Sequence, residues 1–246
     1  MFLKNMQYKT ISIIIPVYNE EQFIKQIFRL VIKADTLRLK KEVIIIDDFS
    51  TDNTLSTIKN EIKKHKQHKI ILIKKSKNEG KGAAIKAGFL RSTGDIVIIQ
   101  DADLEYSQRE YPSLLEPFYD QTADVVFGSR FLSNKQHRVL YFWHAVVNRL
   151  LTTFSNMFTD LNLTDMETGY KVFRGSIIRQ IAPQLRAKRF GFEPEITARL
   201  AKNKQLKIYE VGISYSGRTY AEGKKIGWKD GIRAIGEIIY YNLIAK

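Results

Sequence analysis

Cysteine is absent from this chain of 246 residues. Its absence excludes disulfide frameworks, zinc–cysteine sites, iron–sulfur clusters and thiol nucleophiles, and it suits a reducing cytosol. Long apolar runs are also lacking. The N-terminal apolar run is too short for the core of a signal peptide, and no segment reaches the roughly 18 uncharged apolar residues that a spanning helix requires. We therefore expect a cytosolic protein whose contact with a membrane is peripheral.

Acidic residues are scarce relative to basic ones. The chain has 40 Lys and Arg against 26 Asp and Glu, which gives a formal net charge of +14. This excess indicates an anionic partner, either nucleic acid, an anionic membrane face or a phosphate-rich small molecule. Nucleic acid is disfavoured, because the usual basic recognition motifs with interleaved aromatic residues are missing.

The first half of the chain alternates short β-branched runs with helical patterns, which is typical of parallel strands joined by crossover helices. The pattern predicts strands at 11–15, 42–46, 70–73, 95–99 and 124–128, with helices at 20–33, 52–66, 80–91 and 107–119. Ser50 is a candidate N-cap of the second helix. Continuous apolar strands indicate a sheet covered on both faces.

The second half is less regular. It predicts strands at 169–173 and 206–211, a helix at 193–202, and two helices with one apolar face each near 140–158 and 228–243. Repeats and linkers are missing, so a single domain over 1–246 is expected. The two apolar faces could bury in the core, as such faces usually do, or lie on a membrane surface.

Two carboxylates, Asp101 and Asp103, follow the fourth predicted strand. The carboxyl ends of parallel strands form the edge at which open α/β sheets bind ligands. A turn there can bring both side chains onto one divalent ion, and oxygen ligands suit Mg²⁺ or Mn²⁺. An isolated Asp-x-Asp is more often a capping loop, so the neighbouring strands must decide between the two interpretations.

Polar residues also follow the first two predicted strands. Asp48 could accept hydrogen bonds from a base or ribose, and Tyr18 could pack on the base. Each residue alone could equally belong to a turn or an N-cap. Three strands that deliver polar residues to one edge favour a nucleotide site.

Lys81 stands between two glycines, Gly80 and Gly82, where a helix is predicted to begin. Backbone amides and a cation in this arrangement can approach phosphates. The Gly-Lys-Ser/Thr ending of a Walker loop is absent, which disfavours an ordinary kinase or ATPase. A plain helix start remains the alternative.

In order and spacing, these motifs resemble family 2 nucleotide-sugar glycosyltransferases of the GT-A fold; they lie at residues 13–20, 47–52, 78–82 and 101–105. Later segments at 128–131, 165–171 and 217–225 are similar to the branch of dolichyl-phosphate mannose and glucose synthases and bacterial polyprenyl-phosphate glycosyltransferases. The resemblance implies an α/β fold with a Rossmann-like, mostly parallel sheet and helices on both faces. A nucleotide-sugar-binding half would span about residues 1–128 and a mixed, acceptor-side half about 129–246.

The resemblance also implies roles for individual residues. The nucleotide sugar would meet Pro16, Tyr18, Glu20, Asp48, Lys81, Asp101 and Asp103. Mg²⁺ or Mn²⁺ would be held by Asp101, Asp103 and Glu105, the last standing where mannose synthases often carry Gln. The acceptor phosphate would meet Arg130, Arg218, Lys224 and Lys225, and catalysis would rest on Asp103, Arg130, Arg218 and Lys225.

The implied reaction moves a sugar from a UDP- or GDP-sugar to a polyprenyl (dolichyl or undecaprenyl) phosphate at the cytosolic membrane face. It would be one inverting displacement, with a metal and cations neutralising the leaving diphosphate. The alternative is transfer to a sugar hydroxyl of a surface polysaccharide or glycolipid, for which Asp165 or Glu167 could act as base. The sequence leaves the donor's base and sugar and the oligomeric state open.

Overall fold

The computed structural model describes residues 8–132, 138–139, 141–217 and 228–245. Its seven strands form one sheet in the order β3-β2-β1-β4-β6-β5-β7. The strands are β1 (Thr10–Val17), β2 (Lys40–Asp47), β3 (Lys69–Lys74), β4 (Ile96–Ile99), β5 (Val125–Ser129), β6 (Lys171–Arg174) and β7 (Ile208–Gly212). The helices are α1 (Ile24–Lys33), α2 (Thr54–Lys64), α3 (Lys81–Arg91), α4 (Tyr111–Asp120), α5 (Phe142–Thr159), α6 (Gly175–Ile181), α7 (Phe192–Ala201) and α8 (Trp228–Ile239).

The sheet is mixed but mostly parallel, as the sequence predicts. β1 pairs in parallel with β2 and β4, and β5 pairs in parallel with β7. β6 alone among these strands runs antiparallel, between β4 and β5. Because β6 is reversed, its first residue, Lys171, lies at the edge where the parallel strands end. The loop that precedes β6 therefore shares this edge with the segments that follow β1, β2 and β4.

Both faces of the sheet are buried. Along β1, Ile13 and Ile15 pack into one core layer with residues of α1 and α4, while Ile14 packs into the other with residues of α3 and α7. This alternation follows from the two-residue period of a strand. The predicted sheet with helices on both faces is confirmed.

Three local features differ from the sequence predictions. α1 begins at Ile24 rather than near Glu20, whose carbonyl accepts the N–H groups of Phe23 and Ile24 in a turn. Ser50 does not cap α2, because α2 begins at Thr54 with Asn53 at its N-cap position. The Ser50 Oγ accepts the N–H of Asn19 at 3.0 Å instead. α6 was not predicted, since seven residues with one short apolar run carry little helical periodicity.

α5 packs against α7 and α8. Within the ranges the structure describes, no helix is long and apolar enough to cross a bilayer.

Candidate active site

A cavity of about 760 Å³ opens at the carboxyl edge of the sheet. Its lining includes every predicted site residue in the described part of the chain: Pro16, Tyr18, Glu20, Asp48, Lys81, Asp101, Asp103, Glu105 and Arg130. The predicted cations Arg218, Lys224 and Lys225 lie outside the described residues. The motifs that the sequence places at strand ends thus meet in one pocket, because parallel strands end at a common edge.

Asp48, after β2, is engaged with the turn that precedes α3. Its carboxylate accepts the N–H of Gly80 at 2.6 Å and the N–H of Glu79 at 3.1 Å, and it pairs with Lys75 at 3.0 Å. Gly80 has a φ of +97°, and a Cβ there would collide with the carbonyl of Lys188. Asp48 therefore fixes the turn that presents Lys81, besides lining the cavity.

Lys81 forms an ion pair with the Asp101 carboxylate. Its Nζ lies 2.9 Å from Oδ2 of Asp101 and 3.5 Å from Oε1 of Glu193. Burial alone would lower the pKa of Lys81, but the charges of Asp101 and Glu193 outweigh it and raise the pKa above its ordinary value. Lys81 is therefore a permanent positive charge beside the Asp-x-Asp motif.

The end of β4 is held by hydrogen bonds from the layer behind it. The hydroxyls of Tyr111 and Tyr170 both donate to Oε1 of Gln100 at 2.8 Å, and Nε2 of Gln100 donates to the carbonyl of Asp101 at 2.9 Å. Gly169 packs so closely that a Cβ there would collide with Oδ2 of Asp101. The position of Asp101 is thus fixed by Gln100, by Tyr111 at the start of α4, and by the segment at Gly169 and Tyr170.

Asp103 and Glu105 lie on a tight turn in which Leu104 has a φ of +61°. Oδ1 of Asp103 accepts the N–H of Glu105 at 3.2 Å, and the Tyr215 hydroxyl donates to Oε2 of Glu105 at 2.8 Å. The turn directs both carboxylates to the cavity, which they line.

The carboxylates that line the cavity suit a metal ion that is bound together with a phosphate group of the substrate. In the described ranges, no group of three or more His, Asp or Glu side chains is arranged to hold an ion by itself. Mg²⁺ is commonly held by one or two carboxylates plus substrate phosphates. Asp101 and Asp103, which both line the cavity, fit that pattern, and Glu105 as a third ligand stays a prediction.

Arg130, after β5, is paired with the buried Asp165. Nε and Nη2 of Arg130 each lie 2.7 Å from a different carboxylate oxygen of Asp165, and the Arg130 N–H donates to the same side chain at 3.0 Å. The guanidinium also lies over the Tyr215 ring, at 5.2 Å from its centroid. Both carboxylate oxygens of Asp165 are thus bound by Arg130. Glu167, in the same loop, lines the cavity, whereas Asp165 does not.

Several cavity residues were missed by the sequence reasoning. They are His144 and Asn148 on α5, Arg189 and Phe190 before α7, and Glu193 in its first turn. The loop before α7 is anchored by the buried Glu195, whose carboxylate accepts the N–H groups of Arg186 and Ala187. Only the four-residue spacing of His144 and Asn148, which places them on one side of a helix, was a usable signal.

Comparison with known proteins relates this chain to one family and to its members. The family model for glycosyl transferase family 2 matches residues 12–182. The chain is 29% identical over 251 residues to a UDP-N-acetylglucosamine–dolichyl-phosphate N-acetylglucosaminyltransferase of Methanococcus voltae, covering 96% of this chain and 95% of the relative. It is 29% identical to a dolichyl-phosphate β-glucosyltransferase of Dictyostelium discoideum, covering 88% of this chain and 68% of that protein.

Among solved structures, the chain matches glucosyl-3-phosphoglycerate synthase of Mycobacterium tuberculosis, crystallised with Mn²⁺, UDP and phosphoglyceric acid. The TM-score is 0.69 at 17% identity, with 97% of this chain and 80% of that chain covered. The match shows that the fold is GT-A.

Proposed function

Because the chain belongs to glycosyl transferase family 2, we propose that it moves a sugar from a UDP-sugar to the phosphate of a polyprenyl lipid. The observation that carries the proposal is that α5 borders both the cavity and an exposed apolar surface. His144 and Asn148 on one side of this helix line the cavity. Trp143, Leu150 and Met157, which we call the α5 outer face, are 73%, 64% and 76% exposed. The helix thus joins a polar cavity to an apolar surface.

The donor end of the cavity suits a nucleoside diphosphate. Tyr18 is 39% exposed and, with Pro16, lines the cavity at the end of β1, where a base could pack. The diphosphate would then lie between Lys81 and the two Asp residues of the Asp-x-Asp motif. UDP is favoured over GDP because the matched structure contains UDP and the first relative is named for UDP-N-acetylglucosamine. The lipid phosphate is favoured because both relatives above are named for dolichyl phosphate.

The reaction would be a single in-line displacement. An oxygen of the acceptor phosphate attacks the anomeric carbon while the bond from that carbon to the diphosphate breaks, which inverts the configuration. The acceptor is already an anion, so it needs no base to remove a proton. Lys81 and Arg130 would stabilise the anions, and a divalent metal bound at Asp101 and Asp103 would take up charge on the leaving diphosphate.

The membrane surface would be met by α5 together with α8. The predicted apolar stripe of α5 is divided, since Leu151 is buried in the core whereas Trp143 and Leu150 are exposed. The segment after α8 adds Leu243 and Ile244, which are both more than half exposed. Large apolar side chains exposed in this number suit an interface, and the net charge of +14 suits anionic headgroups. The side chains of Trp228 and Ile232 lie outside the described residues.

A second candidate is transfer to a sugar hydroxyl, favoured by one observation. Among the described residues, Oε1 of Glu167 has no hydrogen-bond partner, and its carboxyl lines the cavity. A hydroxyl acceptor would need such a base. Purified protein incubated with labelled UDP- and GDP-sugars, Mn²⁺, and either polyprenyl phosphate or an oligosaccharide separates the two. The proposal expects label in the lipid fraction, and label only in the oligosaccharide would contradict it.

A further inference from the structure

The order of strands along the sheet sets the order of subsites in the cavity. The nucleoside would lie over the ends of β1 and β2, and the diphosphate over the end of β4, where Asp101 and Asp103 stand. The next strand beyond β4 is β6, and the loop in front of it carries Glu167. A sugar attached beyond the diphosphate would therefore extend towards Glu167 and towards its electrostatic neighbour Glu193, which both line the cavity.

Lys171 holds the backbone on both sides of Glu167. This lysine is fully buried, and its Nζ donates to the carbonyls of Met166 and Thr168. The ammonium also lies over the Phe127 ring, at 5.1 Å from the centroid. Because the carbonyls before and after Glu167 are both bound to one amine in the interior, the loop is rigid at the position of Glu167.

The Glu167 carboxyl is placed to recognise an uncharged polar group. Its Oε1 is shielded from solvent and lacks a hydrogen-bond partner within the described ranges, which is costly unless a ligand supplies one. Burial, then the neighbouring Glu193, raises the pKa of Glu167 well above its ordinary value. A neutral carboxyl can both donate and accept a hydrogen bond, as a sugar hydroxyl can.

We propose that Glu167 is a specificity-determining residue that hydrogen-bonds the donor sugar and selects an uncharged sugar over a uronic acid. The inference rests on the proposed function only in requiring a nucleotide-sugar donor. A uronic acid would bring a carboxylate beside the Glu193 carboxylate, which would repel it. That carboxylate could accept a hydrogen bond from Glu167 but could not donate one, so both effects would weaken binding. Glu167 acts here on the donor and takes no proton from the acceptor.

Binding measurements without any acceptor test the proposal. Calorimetry with Mn²⁺ present would give the Kd of UDP, UDP-glucose, UDP-N-acetylglucosamine and UDP-glucuronate, and of GDP with GDP-mannose, for the wild type and for Glu167→Gln and Glu167→Leu. We expect the wild type to bind an uncharged nucleotide sugar more tightly than the nucleotide alone. Glu167→Leu should raise the Kd of that nucleotide sugar about five- to ten-fold, which is the scale of one lost hydrogen bond, and should leave the Kd of the nucleotide unchanged. Glu167→Gln, which keeps a donor and an acceptor, should stay within about three-fold of the wild type.

Other outcomes overturn the proposal. If Glu167→Leu raises the Kd of the nucleotide as much as the Kd of the nucleotide sugar, the residue has only a structural role. If UDP-glucuronate binds as tightly as UDP-glucose, or if no sugar donor binds more tightly than its nucleotide, Glu167 does not select the sugar. If both variants bind donors normally but neither turns over, Glu167 is a base for a hydroxyl acceptor. Failure to glycosylate polyprenyl phosphate with these binding differences intact would contradict only the proposed function.

Exposed Glu116 on α4 supplies the control. Glu116→Leu makes the same chemical change on the surface and should leave every Kd unchanged. Equal melting temperatures for the variants would show that the differences in Kd come from the site.

Discussion

Arg130 and Asp165 form a two-pronged ion pair, with two nitrogen–oxygen distances of 2.7 Å, that joins the segment after β5 to the loop before β6. The pair is buried beside the cavity, and Asp165 has no exposed surface. It makes Asp165 a positioning residue for Arg130 rather than a base. It also ties a cavity cation to the loop that carries Glu167.

Asp165→Asn should therefore destabilise the protein, because it leaves the Arg130 charge buried without its partner. Breaking a buried pair in this way typically costs about 3–5 kcal/mol. Urea unfolding would measure the loss. The double variant Arg130→Gln, Asp165→Asn should recover part of it, since neither charge then remains. If Asp165→Asn had the same free energy of unfolding as the wild type, the ion pair would contribute nothing to stability.

Gly169→Ala should weaken donor binding by displacing Asp101. A Cβ at this position would collide with Oδ2 of Asp101 and with the Tyr106 ring. Gly236→Ala in α8 is the matched control, because a Cβ there would meet no described atom within 4 Å. Calorimetry with UDP and Mn²⁺ should show at least a ten-fold higher Kd for Gly169→Ala only, on the scale of about 1.4 kcal/mol per ten-fold. Equal affinity in both variants would contradict the packing argument.

Glu42 should contribute a pH-dependent part of the stability. Burial works to raise its pKa, but hydrogen bonds from Lys69, Ser12 and Thr93 outweigh burial and lower the pKa from 4.5 to about 2. The folded pKa lies below the unfolded one, so this contribution is present above pH 4.5 and is lost as the pH falls towards 2.

The comparison that checks this is urea unfolding of the wild type and Glu42→Gln between pH 7 and pH 3. The wild type should be the more stable at pH 7, and the difference should shrink as the solution becomes acidic. A difference that stays constant over this range would rule out the assigned ionisation.

The double substitution Trp143→Ser, Leu150→Ser should reduce binding to liposomes, because both side chains belong to the α5 outer face. Leu90→Ser on α3 is the control, since Leu90 is also more than half exposed but lies on another helix. Sedimentation with anionic liposomes should fall for the α5 variant alone, with its circular dichroism unchanged.

Salt provides a second readout. A salt concentration of 1 M shortens the screening length to about 3 Å and so weakens the electrostatic attraction to the liposomes. Part of the wild-type protein should then be released, while the part held by apolar contacts stays bound. Equal sedimentation of the α5 variant and the wild type would remove α5 from the membrane contact.

The sequence was sufficient where the signal was local. Strands such as β1 and β4 are short apolar runs, and parallel strands must end at one edge, so the meeting of Tyr18, Asp48 and Asp101 could be predicted. The sequence was insufficient where distant segments meet. Glu193 reaches Lys81 across more than a hundred residues of chain. The contact between Tyr215 and Glu105 likewise depends on tertiary packing that leaves no periodic pattern.

The division of α5 into exposed and buried apolar residues was also beyond the sequence. Leu150 and Leu151 are adjacent and equally apolar, yet one is exposed and the other is in the core. Periodicity gives an apolar face, but only the packing of α7 and α8 against the helix decides how much of that face is covered.

The most direct test of the account compares two acceptors that differ only in a phosphate. Undecaprenyl phosphate and undecaprenol would be placed in identical liposomes with the same labelled UDP-sugar, Mn²⁺ and protein, and the lipid products would be identified by mass spectrometry. The account predicts a sugar phosphodiester from undecaprenyl phosphate and no product from undecaprenol. The rate of Asp103→Ala with undecaprenyl phosphate should be at least about a hundred-fold lower than that of the wild type, which is the scale of losing one group that stabilises the leaving anion. Transfer to undecaprenol at a similar rate, or transfer only to added saccharide, would contradict the central claim that the acceptor is a lipid phosphate.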